Sequence, residues 1–390
     1  MPPGFGPLAG IRIGHAQDDD ARTGCTVLLA AQGAVAAALV LGAAAGEREL
    51  QTLHPSHLVE RIDALLFAGG SAFGLDAAGG VMRWCAEHEI GFDTGIARVP
   101  IVPAAILFDL RLGAARRPDA AMGYAAAQAA AQASTNTGDS TSVAEGNVGA
   151  GAGCTVGKLF GLSRAMKSGI GCWTERLPAH QSSEPDTESH PDSNADSHRD
   201  SNPDSHRDSS NESQSATVAV LAAVNAFGDV LDAATGRILA GTRTSPSANP
   251  RTSPSTNDVS RDFVNTAAAI RNGAAPARFG HPSASSIDIA TPSDDSISPS
   301  NTVLVAVATD AILTRIEAGR VAQMAAAGMA RTLSPAHTTF DGDIIFVLSV
   351  GRARADLNAL GIAAAEAVAH AIVRGVTQAH SAHGVPGLGR

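Results

Sequence analysis

The stretch NTVLVAVATDA (301–311) decides how the rest of the chain is read. It holds Thr302, Val303, Val305, Val307 and Thr309, β-branched residues that favour a pleated, half-buried backbone. A polar Ser/Pro stretch, HPSASSIDIATPSDDSISPS (281–300), runs directly into it, so the predicted strand starts abruptly at Thr302. Downstream, LTRIEAGRVAQMAAAGMARTLS (313–334) reads as a helix and DIIFVLSV (343–350) as a second strand. A last helix is expected over 356–376. Upstream, DALLFAGG (63–70) has the form of a strand ending in glycines, and GLDAAGGVMRWCAEH (74–88) has helical spacing. An alanine-rich helix is expected over 117–133, and a strand, a Gly-Asp turn and another strand over 216–232. Strands with helices outside them imply an α/β layered fold.

Composition narrows the function. Hydrophobic residues make up 44% of the 390 positions and aromatics only 4%, which allows a large core but argues against base-stacking platforms. The net charge is -10, and 181–214 alone, with nine acidic residues and two arginines, supplies -7 of it. The remainder is nearly neutral, so no basic face for nucleic acid is expected. Within 181–214 an eight-residue unit repeats as SHPDSNAD, SHRDSNPD and SHRDSSNE (189–212). A second polar stretch, 243–260, opens with RTSPSANP and RTSPSTND (243–258). These two and 281–300 lack apolar periodicity and read as disordered loops within a single domain, 1–390. The N-terminus MPPGFGPLAG lacks a signal-peptide pattern, and the apolar runs are interrupted by Gly, Asp or Arg. A cytoplasmic protein with no membrane partner is expected.

Several motifs fall short of the chemistry they suggest. Around Ser71, Phe73 stands where a nucleophile elbow needs its second glycine. GAGCTVGKL (151–159) has Ala152 in place of the first glycine of a phosphate loop, and Leu159 in place of its hydroxyl residue. Its glycines read instead as close-packed backbone near an active site. Cys25, Cys85, Cys154 and Cys172 form no CxxC pair and are expected to be buried free thiols. The histidines, including His190, His198 and His206 of the repeat, show no HxxxH or HExxH pattern, so neither metal nor cofactor is implied.

A set of segments carries a resemblance. IRIGHAQD (11–18), TGCTVLL (23–29), LLFAGGSAFGLDAAGGVMRW (65–84), GIARVPIVPAAILFDL (95–110), GNVGAGAGCTVGKL (146–159), KSGIG (167–171), LAAVNAFGDV (221–230) and NTVLVAVATDA (301–311) are similar to the P1-type (S58) aminopeptidases. That group comprises the L-aminopeptidase/D-amidases, β-peptidyl aminopeptidases and endo-type 6-aminohexanoate oligomer hydrolases. The resemblance implies a four-layer αββα sandwich of the N-terminal-nucleophile type. It also implies self-cleavage between Asn301 and Thr302 into an α chain, 1–301, and a β chain, 302–390, and a homo-oligomer, a tetramer of such heterodimers.

It further implies that the freed Thr302 is the nucleophile, with Asp341 and Asp343 of HTTFDGDIIF (337–346) beside it, Lys167 as an active-site lysine, Asn225 as the oxyanion donor and Tyr124 at the substrate. The chemistry implied for Thr302 is physically reasonable: a threonine hydroxyl needs a base, and a freed α-amine, with a reference pKa of about 7.7–8.0, titrates near working pH. Asn225 alone has independent support. An asparagine in the apolar run LAAVNAF (221–227) is unusual for packing alone. The expected substrates are small peptides, amides or ω-amino-acid oligomers. Two alternatives are an acyltransferase like the ornithine acetyltransferases and an unprocessed, non-catalytic member of the fold.

Overall fold

The computed structural model describes residues 8–133, 143–179, 215–247, 262–274 and 301–389. The repeat at 181–214, the stretch 281–300 and positions 248–260 lie outside the described residues. At 243–247 the expected loose loop is corrected. Arg243 is buried there, donating to the carbonyls of Ser163, Ala165 and Pro246, so its aliphatic stem and guanidinium fix the segment to the body.

The main sheet has nine strands: β1 (Arg12–Asp18), β2 (Thr23–Val40), β3 (Glu47–Arg48), β4 (Arg61–Ala68), β5 (Ala104–Ile106), β6 (Ile170–Arg176), β7 (Thr217–Asn225), β8 (Thr302–Ala311) and β9 (Ile344–Ala353). The long helices are α1 (Ala77–Glu87), α2 (Ala120–Gln132), α3 (Arg315–Thr332) and α4 (Leu357–Thr377). The strand order is β6-β7-β8-β9-β2-β4-β5-β3, with β1 on β2. Strands β8 and β9 are parallel and joined through α3; β7 and β8 are antiparallel.

One sheet makes two layers because β2 is long and irregular. Its first half, Cys25–Leu29, pairs with β4 and β1, and its last residues, Val35–Val40, pair with β9 after a register shift between Leu29 and Ala34. Such a shift bends a strand and raises its twist. Alternation then sorts three cores. Val303, Val305 and Val307 face α3 and α4; Leu304, Ala306 and Ala308 face the space between the layers. Across that space stand Leu28, Leu65 and Phe67, with the Phe67 and Phe346 rings 5.8 Å apart. On the far side Val27, Leu29 and Leu66 meet Val81 and Trp84 of α1 and Ala126, Ala127 and Ala130 of α2. Helix, sheet, sheet, helix is the expected αββα sandwich.

Caps hold the helices where the sequence signals them. Asp119, Thr314 and Asp356 accept from the amides of Met122, Glu317 and Ala359, and Thr314 with Glu317 forms a capping box. Helix α4 is long and apolar enough to cross a membrane, yet 67% of its apolar window is buried, because it packs on α3, β6 and β7. The expected strand pair over 216–232 is real, but Asp229–Leu231 pairs with Ile238–Ala240 and Leu333–Ser334, not with β7. All four cysteines are buried and free.

Candidate active site

Thr302 is the first residue of β8 and pairs with Asn225, the last residue of β7. By alternation with Leu304 and Ala223, both side chains face the space between the sheets, at its end. Thr302 is 1% exposed and Asn301 fully buried. The Thr302 hydroxyl lies 2.6 Å from the Asn301 carbonyl oxygen, to which it donates. The amide of Gly342 donates to the same oxygen at 2.7 Å. A Cβ on Gly342 would stand 2.8 Å from Thr302 Oγ1, so the glycine is what lets the Asp-Gly-Asp backbone approach this bond.

That backbone is held in place by its own carboxylates. Asp341 bridges in parallel to Asn301, and Ala44 N–H donates to its carbonyl at 2.9 Å. Its carboxylate accepts from the Thr338 amide and hydroxyl at 2.9 and 2.7 Å. Burial, reinforced by the charge of Asp343, pushes its pKa up to about 6. Asp343 accepts from the Val303 amide at 2.8 Å with one oxygen, and contacts His337 Nδ1 at 2.8 Å with the other. His337 takes a left-handed φ of 55° to meet it. Asp343 therefore holds the start of β8 through the Val303 amide, while the Asp341 carboxylate braces the adjoining turn at Thr338 and the Phe227 amide.

Asn225 is held just as closely. Its side-chain oxygen accepts from the Thr155 amide at 3.1 Å and from Lys158 Nζ at 2.8 Å. Lys158 also donates to the Asn225 main-chain carbonyl at 3.0 Å. With the oxygen end taken by two donors, the amide nitrogen must point the other way, where one hydrogen meets the Phe108 carbonyl at 3.1 Å. Burial lowers the Lys158 pKa to about 7, with Cys154 and Asp341 opposing the fall.

A buried threonine with its hydroxyl on the preceding carbonyl, two carboxylates and an amide form one constellation on an αββα sandwich. The sequence profile of peptidase family S58 matches residues 7–184 and 205–389. The chain belongs to peptidase family S58. It is a hydrolase of peptide or amide bonds. Uncharacterised aminopeptidases of Mycobacterium leprae and Mycobacterium tuberculosis are each 34% identical to it, covering 97% of this chain and 91% and 95% of theirs. A Burkholderia β-aminopeptidase shares the fold with a TM-score of 0.60 at 19% identity, covering 100% of this chain and 92% of that one. The Ochrobactrum anthropi L-aminopeptidase D-Ala-esterase/amidase, described as a variant of the Ntn hydrolase fold, superposes with a TM-score of 0.58 at 14% identity, over 97% of this chain and 88% of that one.

In this S58 chain two expected site residues are not brought to Thr302. Lys167 is fully buried, but its Nζ donates to the carbonyls of Gly151, Cys154 and Ser168 at 3.3, 2.8 and 2.7 Å, which uses all three hydrogens. All three of these bonds go to backbone carbonyls at the glycine run and beside Lys167 itself, and none to Thr302. Tyr124 lies on α2 against α1, its hydroxyl 2.7 Å from Glu87 and Arg83 over its ring. That is the outer helical layer, with a sheet between it and the space that holds Thr302. The residue that reasoning from sequence missed is Lys158. It belongs to the GKL motif set aside as an imperfect phosphate loop, and its signal is a lysine beside a glycine run with no acidic neighbour in sequence to solvate it. Ser71 sits in the turn after β4 at φ 55°, preceded by Gly70 at φ 81°, as its glycines suggest.

Proposed function

We propose that this S58 hydrolase cleaves its own Asn301–Thr302 bond and then uses the N-terminal Thr302 to release N-terminal residues from small peptides, amides or ω-amino-acid oligomers. The observation that carries this reading is the double approach to the Asn301 carbonyl, by the Thr302 hydroxyl at 2.6 Å and the Gly342 amide at 2.7 Å. In the uncleaved chain the hydroxyl oxygen attacks the Asn301 carbon. Its proton passes to Asp341, whose raised pKa suits it to hold a proton near neutrality. The Gly342 N–H stabilises the oxyanion as it forms. Return of the proton to the Thr302 nitrogen breaks the C–N bond and leaves an ester. Water then hydrolyses the ester, giving the Asn301 carboxylate and a free Thr302 amine.

In the processed enzyme that amine serves as base for the hydroxyl beside it, and the Asp341–Asp343 pair stabilises the ammonium that results. Asn225 donates its free amide hydrogen to the oxyanion of the substrate, with Lys158 fixing the amide's orientation. Assembly into a tetramer of heterodimers in the cytoplasm belongs to the same proposal. Intact-mass spectrometry of the wild type beside Thr302→Ala tests it. The expected result is two fragments breaking at 301/302 in the wild type and one full-length chain in the variant. A single full-length chain in both defeats the self-processing reading. Absence of turnover of β-alanyl, D-alanyl and aminohexanoyl amides defeats the substrate assignment.

A further inference from the structure

Behind Asn225 the structure holds a small cleft that the reaction above does not use. It is walled by Phe108, Asp109, Thr155, Lys158, Leu162 and Arg111. The room left in it is about 20 Å³, enough for one or two waters or the oxygens of a single carboxylate. It is one side chain away from the proposed oxyanion donor, since Phe108 O, Thr155 N and Lys158 Nζ all bind the Asn225 amide.

The polar groups of this cleft are unbalanced. Arg111 Nη2 is sealed from solvent and has no hydrogen-bond partner. A buried guanidinium N–H left without an acceptor carries a desolvation cost that nothing in the structure offsets. The one carboxylate in the wall does not serve it, because Asp109 is already committed: one oxygen accepts from the Gly70 amide and the other from the Thr23 hydroxyl, both at 2.7 Å. A second guanidinium nitrogen is unpartnered on a residue whose backbone meets this wall. Arg22 Nε is also buried without a partner, and the Arg22 carbonyl lies 2.3 Å from where a Cβ of Gly153 would be, another lining residue. Of the other arginines in this loop, RLGAARRP (111–118), Arg116 is paired with Asp18 and Asp20 and Arg117 lies over the Phe73 ring, so Arg111 is the one whose Nη2 has no partner.

We propose that Arg111 anchors a carboxylate subsite next to the scissile amide, so that the preferred substrates carry a free carboxylate within about one residue of the bond cut. A planar carboxylate supplies the paired acceptors that a guanidinium fork lacks here. Two sources share this chemistry: an acidic side chain on the residue released, or the free C-terminus of a dipeptide on the leaving side. The inference rests on the Thr302 reading only for its kinetic arm.

The binding arm needs no catalysis. Thermal unfolding of the Thr302→Ala chain is followed with succinate or neutral succinamide at matched ionic strength. Succinate is expected to raise the midpoint and succinamide not to. Arg111→Gln should abolish the rise, and Arg111→Lys should keep part of it. No rise with succinate, or the same rise in Arg111→Gln, overturns the subsite. In the kinetic arm, kcat/KM is compared for alanyl-alanine against its C-terminal amide, and for aspartyl against asparaginyl amide. At least about a tenfold preference for the carboxylate member is expected in one pair, and that pair names the source. Arg111→Gln should bring that ratio towards one. Equal rates within both pairs overturn the proposal. Succinate binding without turnover of either pair leaves the subsite standing and refutes the Thr302 mechanism instead.

Discussion

Lys158 and Lys167 stand nine positions apart in the same glycine-rich segment, and both are closed off from water, at 3% and 0% exposure. Burial depresses both pKa values, to about 7 and about 8. By burial and by titration they are near twins. They differ in what they hold. Lys167 satisfies three backbone carbonyls and closes a fold around Gly151 and Cys154. Lys158 spends its hydrogens on the side chain and the carbonyl of Asn225, the register partner of Thr302. A buried lysine is expensive wherever it occurs. Its partner, not its burial, tells whether the cost serves the fold or the reaction.

The sharpest way to break this comparison is to remove each charge in turn. Lys158→Met leaves the Asn225 amide held only by the Thr155 amide and the Phe108 carbonyl, and kcat should fall by up to about 10²–10³-fold, the size of losing one oxyanion donor, with a smaller change in KM. Steady-state kinetics on an aminoacyl amide measures it, and an unchanged kcat would put Lys158 with Lys167 among the structural lysines.

A pH profile of self-cleavage comes next. Asp341 must be unprotonated to take the Thr302 proton, and its pKa lies at about 6. Processing should therefore be fast above that pH and slow roughly tenfold for each unit below it, as protonation removes the base. Time-resolved mass spectrometry after a pH jump reads this directly. Asp341→Asn should remove both the processing and the profile.

Lys167→Met sharpens the other side. It leaves the Ser168 carbonyl without a donor and takes one of two donors from the carbonyls of Gly151 and Cys154, a loss of about 1–3 kcal/mol of stability and a fall of a few degrees in Tm. The activity of the protein that remains folded should stay within a few-fold of wild type. Calorimetry beside active-site titration separates the two effects. The smallest change is expected for Tyr124→Phe. It deletes a surface hydroxyl bonded to Glu87, and kcat/KM should move by less than about twofold.

Much of the fold is legible in the sequence because its elements have strong local signals. Thr302–Ala311, Arg315–Thr332 and Leu357–Thr377 lie within two residues of their expected bounds, since β-branched runs, a capping box and helical alanine spacing act over a few residues. The eighteen residues of β2 do not declare themselves. TGCTVLLAAQGAVAAALV is rich in alanine and glycine, poor strand formers, and is a strand because three neighbours pair with it and both of its faces are covered.

The candidate site divides the same way. Thr302, Asn225 and the Asp341–Asp343 pair are visible in sequence through the resemblance to the S58 aminopeptidases, and Asn225 also stands out by itself as a polar residue in an apolar run. The role of Gly342 is not, because it depends on an approach to a bond forty residues away in the chain. Nor is the choice between the two lysines, or the placement of Tyr124, since MGYAA on an amphipathic helix reads the same whether it faces a site or an outer layer.

The sequence alone determined the strand that begins at Thr302, the helices around it, the polar residues at strand ends and the membership of family S58. These rest on side-chain periodicity and residue identity, which are properties of the chain itself. Only the tertiary structure decided that one bent strand makes two layers, that Gly342 meets the Asn301 carbonyl, and that Lys158 rather than Lys167 reaches Asn225. Those are contacts between distant segments, and a buried donor chooses its acceptor by distance and angle, which no local pattern encodes.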